Sequence, residues 1–219
     1  MPSRLRLPAL LAAAAAAAVA VTGCGSSGGD DAASTPMTTT EHHAGGAESA
    51  SAEILFPPAP APALGVKDHL GRTVTTRQFR GKALFVTFVY ARCPDVCPLI
   101  VANFRRTLDR LGPARAAKVA IVAVSVDPEG DTPAIVSGYL KRMRMTGRMQ
   151  WLVGGRAELE RLWLRWGVAT RVPKDNPELV EHAAPIYGVD ASGTITTIYD
   201  SSFRAGDLVA DFGRLTQGS

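Results

Sequence analysis

Residues 86–100 read VTFVYARCPDVCPLI, and this stretch determines how the rest of the chain is interpreted. An apolar, β-branched and aromatic run ends in a turn that carries Cys93 and Cys97, and a segment with helical spacing follows at once. A strand, a dithiol turn and a helix in this order place two sulfurs at a helix N-terminus, where the partial positive charge favours thiolate over thiol. Two thiolates held close together suit a soft metal ion or a disulfide.

The apolar pattern along the chain predicts one mixed α/β domain. Residues 64–68 and 73–75 are short extended pieces around a glycine-containing turn, which predicts an N-terminal β-hairpin. Strand-like runs then alternate with helical segments, and the chain closes with a helix over 206–215. This order predicts an α/β fold with a mixed sheet flanked by helices, and the dithiol at the end of the first long strand indicates its thioredoxin-like variant. The helix after the dithiol has an expected buried face of Leu99, Phe104, Leu108 and Leu111.

The N-terminus has the pattern of an export signal. Arg4 and Arg6 precede an apolar, alanine-rich run over 7–21, which is shorter than the roughly 18 residues that a membrane-spanning helix needs. The run ends in Val-Thr-Gly followed by Cys24, which resembles the lipobox of bacterial lipoproteins. We expect residues 1–23 to be a lipoprotein signal peptide and Cys24 to carry the lipid. The alternatives are an ordinary signal peptide and an uncleaved membrane anchor, and all three interpretations export the chain.

Composition divides the mature chain into a linker and a domain. Residues 24–62 are mostly Gly, Ser, Ala, Thr and Pro, so they predict a lipid-anchored disordered linker, while residues 63–219 are long enough to form a core. Removing Arg4 and Arg6 with the signal peptide leaves 22 basic against 20 acidic residues. No cluster of Lys and Arg with interleaved aromatic residues is present in the sequence, which argues against nucleic acid as a partner.

The chemistry of the dithiol has several interpretations at this point. Cys93 and Cys97 are four residues apart, and a structural disulfide in an exported protein explains the pair. Two thiolates and the imidazole of His182, which precedes a strand predicted to run beside the dithiol turn, make a three-coordinate site that suits Cu(I). The same three side chains bind Zn²⁺, although that ion usually takes a fourth ligand. Asp127 ends a strand, and in one interpretation it lies near the dithiol, where it tunes the protonation of the thiols or meets a partner.

Three segments together resemble the Sco/SenC family: residues 87–98 with both cysteines, residues 125–133 (SVDPEGDTP), and His182 before Ile186 and Tyr187. The resemblance covers about residues 63–215, nearly all of the predicted domain. It implies a thioredoxin-like, membrane-tethered copper protein that helps assemble the dinuclear copper site of cytochrome c oxidase. It also implies that Cys93, Cys97 and His182 are the copper ligands. The chain departs from the family pattern at Glu181, where an Asp is common, and at residues 183–185.

The expected function is therefore that of an extracytoplasmic metallochaperone that binds one copper ion. The resemblance implies two kinds of partner, the copper-site subunit of a haem-copper oxidase or another copper chaperone, with the lipid anchor holding the chain at a membrane. The expected location is the outer face of the cytoplasmic membrane or the periplasm. The alternative is a thiol-disulfide oxidoreductase in which Cys93 attacks a partner's disulfide and Cys97 resolves the intermediate. A peroxidase of related fold is a third interpretation.

Overall fold

The computed structural model describes residues 52–173, 175 and 179–218. The predicted signal peptide, Cys24 and the first part of the predicted linker lie outside these residues. Within the described ranges, no helix combines the length and the apolar character that crossing a bilayer requires.

The described residues alternate between strands and helices as the sequence predicts. The strands are β1 (Ala52–Pro60), β2 (Val66–Lys67), β3 (Thr73–Val74), β4 (Ala83–Val89), β5 (Val119–Ser125), β6 (Gln150–Leu152), β7 (Thr170–Arg171), β8 (Glu181–His182), β9 (Ile186–Val189) and β10 (Thr194–Tyr199). The helices are α1 (Val96–Ala116), α2 (Pro133–Arg142), α3 (Arg156–Arg165) and α4 (Ala205–Gln217). A short 3₁₀ helix, Thr76–Phe79, precedes β4.

A six-stranded mixed sheet forms the centre of the domain, with the strand order β1-β10-β9-β4-β5-β6. Strand β4 pairs in parallel with β5 and antiparallel with β9, and all seven of its residues are buried. The unbroken apolar sequence of β4 is the pattern expected for a strand that is covered on both faces. The predicted mixed α/β sheet is confirmed.

Helices cover both faces of this sheet. Phe85 and Phe88 lie three positions apart in β4, so their side chains point to opposite faces. The Phe85 ring contacts Phe104 of α1 at 6.0 Å between centroids, and the Phe88 ring contacts Trp166, directly after α3, at 6.2 Å. Aromatic pairs at these separations add to the burial energy of each layer. The prediction that helices flank the sheet is therefore confirmed.

Helix α1 differs from the prediction in which residues face inward. Leu99 was expected to be buried but is 61% exposed, whereas Phe104, Leu108 and Leu111 are buried as predicted. The first turn instead turns Cys97 inward, so the buried stripe begins with a sulfur and not with Leu99. The helix also continues to Ala116 across a kink, which the positive φ of 71° at residue 112, a glycine, makes possible.

The predicted disordered linker is wrong in its last part, because residues 52–60 form β1. This edge strand pairs antiparallel with β10, from Ala52 opposite Tyr199 to Pro60 opposite Thr194, with an irregularity in between. Main-chain groups on the free edge of β10 provide the partners for this segment. Its sequence, AEILFPPAP, also contains the apolar run Ile54-Leu55-Phe56, which the average composition of residues 24–62 hides. The three prolines of β1 are tolerated because the strand has a neighbour on one side only.

Two short hairpins lie outside the central sheet. The predicted N-terminal hairpin is confirmed, because β2 and β3 pair antiparallel with Val66 opposite Val74. The second hairpin pairs β7 with β8 and places Thr170 opposite His182. The sequence analysis did not predict this second hairpin, which is called the histidine arm below and comprises residues 170–173 and 179–182.

Candidate metal centre

The dithiol turn, residues 90–97, connects β4 to α1. The Cys93 N–H donates to the Tyr90 carbonyl across 3.3 Å, and the Asp95 side chain caps α1 by accepting from the N–H of Val96. The Cys97 N–H, in the first turn of the helix, lies 3.4 Å from Cys93 Sγ and donates to it. Because the first N–H groups of a helix have no intrahelical partner, one of them is free to serve the sulfur. Both cysteines are free thiols.

The two sulfurs have opposite acid–base character. A hydrogen bond from the Cys97 side chain is the largest influence on Cys93 and lowers its pKa to about 6, against the opposing effect of burial. The same hydrogen bond, followed by burial, raises the pKa of Cys97 well above its ordinary value. Cys93 is 7% exposed and Cys97 is fully buried. The pair therefore holds one proton at neutral pH, with the charge on the more accessible sulfur.

Asp131 supports the dithiol turn from inside the protein and is 2% exposed. Its Oδ1 accepts from the Ala91 N–H at 2.8 Å, and its Oδ2 accepts from the indole N–H of Trp151 at 3.2 Å. Burial raises the pKa of Asp131 to about 6, while these hydrogen bonds oppose the shift. The carboxyl group links the dithiol turn to β6 through buried hydrogen bonds, which are costly to leave unmade.

Asp127 lies beside the dithiol turn, which was one interpretation of its position at the end of a strand. Its Oδ2 accepts from Arg92 Nη2 at 2.8 Å, and Arg92 directly precedes Cys93. A Cβ at Gly130 would lie 2.0 Å from Asp127 Oδ2 and 2.5 Å from Arg92 Nε, so any other residue at this position would force the ion pair to shift.

His182 lies in β8 of the histidine arm and is partly buried. Its Nδ1 lies 2.8 Å from the Ala183 carbonyl, which can only accept, so Nδ1 carries the proton and Nε2 keeps its lone pair. Burial lowers the pKa of His182 and favours the neutral imidazole. The imidazole also meets the Tyr90 ring edge-to-face, with 5.9 Å between centroids. A neutral imidazole with a free Nε2 is the form that binds a metal ion.

The structure brings together only part of the predicted ligand set. Cys93 and Cys97 share a hydrogen-bonded turn, but no three His, Cys, Asp or Glu side chains in the described ranges lie close enough to hold a metal ion. A site that uses both sulfurs and His182 therefore requires the imidazole to come closer to the sulfurs, by rotation of the His182 side chain or by a movement of the arm or of the dithiol turn. Cys24, the predicted lipidation site, lies outside the described residues.

Sequence reasoning missed the contacts of Tyr90 with the histidine arm. The residue ends the apolar run before the dithiol, and its aromatic side chain is an ordinary member of that run. Its contact partners, Val180 and His182, lie about 90 residues further along the chain, so no local pattern indicates them.

Comparisons with known proteins agree on one family. The sequence model of the family described as SCO1/SenC matches residues 63–217. Protein SenC of Rhodobacter capsulatus is 31% identical over 143 residues, which cover 64% of this chain and 63% of that protein. Apo Sco1 of Thermus thermophilus, solved in solution, has a TM-score of 0.65 and 28% identity, covering 74% of this chain and 94% of that chain. ScoI of Bradyrhizobium japonicum, solved with copper bound, has a TM-score of 0.60 and 28% identity, covering 72% of this chain and 99% of that chain.

These likenesses extend over the domain that carries the dithiol turn, the histidine arm and the central sheet. The chain spans about half the length of the first curated relatives that it matches. The family match covers well over half of this chain, and the related structures share its mixed sheet with flanking helices in the thioredoxin-like arrangement. The chain belongs to the SCO1/SenC family.

Proposed function

We propose that this chain is an extracytoplasmic copper chaperone that binds one copper ion through Cys93, Cys97 and His182 and helps assemble the dinuclear copper site of cytochrome c oxidase. The observation that carries the proposal is the asymmetric thiol pair, with a low pKa at Cys93, beside an arm that presents a neutral histidine. Support also comes from the family, because ScoI of Bradyrhizobium japonicum has been solved with copper bound.

The donor set matches the chemistry of Cu(I). This soft ion prefers thiolate and imidazole ligands and accepts low coordination numbers. Cys93 is ready to bind as a thiolate, Cys97 releases its proton when the ion binds, and Nε2 of His182 needs no deprotonation. An ion with three ligands can accept an incoming ligand from a partner before it loses one of its own, which makes transfer by ligand exchange feasible.

The proposal places the chain outside the cytoplasm, at the outer face of the cytoplasmic membrane or in the periplasm. The apolar run over 7–21 and the lipobox-like sequence at Cys24 support this location. A lipid on Cys24 would hold the domain at the membrane surface, close to the copper-site subunit of a haem-copper oxidase or to another copper chaperone that loads it.

An anaerobic Cu(I) titration against a competing chelator tests the proposal, with the full chain purified in detergent and fully reduced. We expect binding of one ion, a loss of affinity in His182→Ala, and loss of binding when both cysteines are replaced by serine. His69→Ala is the matched control, because His69 lies in the other hairpin, and it should bind copper as the parent does. Equal affinity in the parent and in His182→Ala would refute the role of the histidine.

A thiol-disulfide oxidoreductase is the second candidate function, and the unequal pKa values of the two thiols favour it. The Cys93 thiolate would attack a partner's disulfide and release one partner thiolate. Cys97 would then lose its proton, attack the Cys93 sulfur and release the second partner thiolate, so that the partner is reduced and this chain is oxidised. Disulfide reduction that persists in His182→Ala, together with weak copper binding in the parent, would establish this function in place of copper delivery.

A further inference from the structure

We propose that Tyr90 is a positioning residue that anchors the histidine arm to the dithiol turn and thereby keeps His182 within reach of the two sulfurs. The inference rests on the proposed copper site and adds a residue that contacts both of its halves. Tyr90 acts through His182 and is not itself a ligand.

The main chain of Tyr90 is part of the dithiol turn, and its side chain contacts the histidine arm. Its carbonyl accepts the Cys93 N–H, which helps to form the turn that holds the first sulfur. Its hydroxyl oxygen accepts the N–H of Val180 across 3.5 Å, two residues before His182. Its ring meets the imidazole of His182 edge-to-face. One side chain therefore contacts both the backbone and the ligand of the arm.

The position of Tyr90 is itself well defined. The residue is 2% exposed and directly follows β4, the central strand of the sheet. Burial is the main reason that the pKa of Tyr90 is raised to about 12, and the charge on the neighbouring Cys93 adds to it. The hydroxyl consequently keeps its proton near neutral pH and lies in the electrostatic environment of both sulfurs.

The anchor matters because the backbone pairing within the arm is short. Its two strands pair over two residues each and are joined by the exposed ion pair of Arg171 and Glu181. Exposed ion pairs contribute little to stability. A ligand on such an arm reaches the metal at an entropic cost, and a buried contact that restricts the arm lowers this cost. The hydrogen bond at Val180 restrains the backbone while leaving the side-chain torsions of His182 free to turn Nε2 toward the sulfurs.

Hydrogen exchange at the Val180 amide tests the anchor without copper. In the full-length reduced chain, Tyr90→Phe removes the acceptor and keeps the ring, so we expect exchange at Val180 to become at least about tenfold faster. Tyr187→Phe is the matched control, because its hydroxyl donates to the Trp166 carbonyl and not to the arm. Unchanged exchange at Val180 in Tyr90→Phe would overturn the proposal.

A double-mutant cycle on Cu(I) affinity tests whether the anchor acts through the histidine. We expect Tyr90→Phe to weaken Cu(I) binding about tenfold, near the lower end of the effect of losing an outer-shell partner. In the His182→Ala background the same substitution should have no further effect. Equal losses in both backgrounds, or no loss in the parent, would overturn the positioning role. If His182→Ala alone leaves the affinity unchanged, the three-ligand site fails, whereas the Val180 exchange still reports on the anchor.

Discussion

The pKa of Cys93 should lie well below that of an ordinary thiol, at about 6. Replacing Cys97 tests this prediction, because the Cys97 side chain is the largest cause of the shift. In a Cys24→Ser background, which leaves two thiols, we expect alkylation of Cys93 to titrate with a midpoint near its pKa of about 6. Cys97→Ala removes the hydrogen bond that is the largest cause of this shift, so the midpoint should move up toward the ordinary value of 9.0. Cys97→Ser keeps a side-chain hydrogen-bond donor at this position and should move the midpoint less.

The structure also indicates which observable to measure. At pH 7 a pKa of about 6 makes roughly 90% of Cys93 thiolate, against roughly 1% for an ordinary thiol at 9.0. Thiolate nucleophilicity falls with pKa, and a Brønsted coefficient near 0.5 over three units reduces it about 30-fold. The net gain in rate at neutral pH is therefore only about threefold. The pH midpoint of the reaction is diagnostic, and the rate at one pH is not.

The assay is pulsed alkylation with iodoacetamide across the pH range, with peptide mass spectrometry to distinguish Cys93 from Cys97, and with ultraviolet absorbance of the thiolate as an independent measure. Cys97, fully buried and with a raised pKa, should remain largely unmodified. A midpoint near 9 for Cys93, or a midpoint that Cys97→Ala leaves unchanged, would refute the shared hydrogen bond.

The same shift has a defined effect on stability. Because the folded-state pKa of Cys93 lies below its unfolded value, its contribution to the free energy of unfolding is fully present above pH 9.0 and is lost as pH falls through about 6. Asp131 affects stability at lower pH and with the opposite sign. Because its folded-state pKa of about 6 lies above the reference value of 3.8, its contribution to the free energy of unfolding is fully present below pH 3.8 and is lost as pH rises through about 6. Urea unfolding between pH 6 and 9 in parent and Cys93→Ala chains should therefore diverge as pH rises.

Three further substitutions, one of them with a matched control, have defined outcomes. Gly130→Ala should lower the free energy of unfolding by about 1–3 kcal/mol, because its Cβ would overlap the carboxylate of Asp127 and force the ion pair with Arg92 to shift, as urea unfolding can measure. Gly138→Ala, in α2 with only a 3.5 Å contact, is the matched control and should stabilise by up to about 1 kcal/mol. Asp131→Ala should cost about 2–5 kcal/mol in the same assay, because two buried N–H donors lose their acceptor. Cys24→Ser should release the chain from membranes, as fractionation can show.

Each of these outcomes can be contradicted. Equal stability of the two glycine variants would mean that Asp127 and Arg92 do not require the space at residue 130. A loss below about 1 kcal/mol in Asp131→Ala would mean that water or another group replaces the carboxylate. Membrane retention of Cys24→Ser would contradict the lipid anchor.

Local features of the site were predictable because they depend on neighbours in sequence. The run before Cys93 has the composition of a buried strand, and the spacing of Phe104, Leu108 and Leu111 has the period of a helix. A strand followed at once by a helix places the dithiol at the helix N-terminus, where Cys97 indeed donates its N–H to Cys93. The expectation that Leu99 is buried was wrong, because Leu99 lies five residues before Phe104 and off that face of the helix. Cys97, Ile100 and Val101 continue the helical period back from Phe104 and are buried.

The sequence by itself determined the alternation of strands and helices, the position of the dithiol and its family, because propensity, periodicity and motif spacing act over short stretches of chain. The tertiary structure alone decided the pairing of β1 with β10, the hairpin that carries His182 and the contact of Tyr90 with that arm. The hairpin joins residues 10 to 12 apart, but the other two features join main-chain and aromatic groups roughly 90 to 150 residues apart. Such contacts form when the folded sheet brings distant edges together, and nothing in the local sequence of either partner specifies the other.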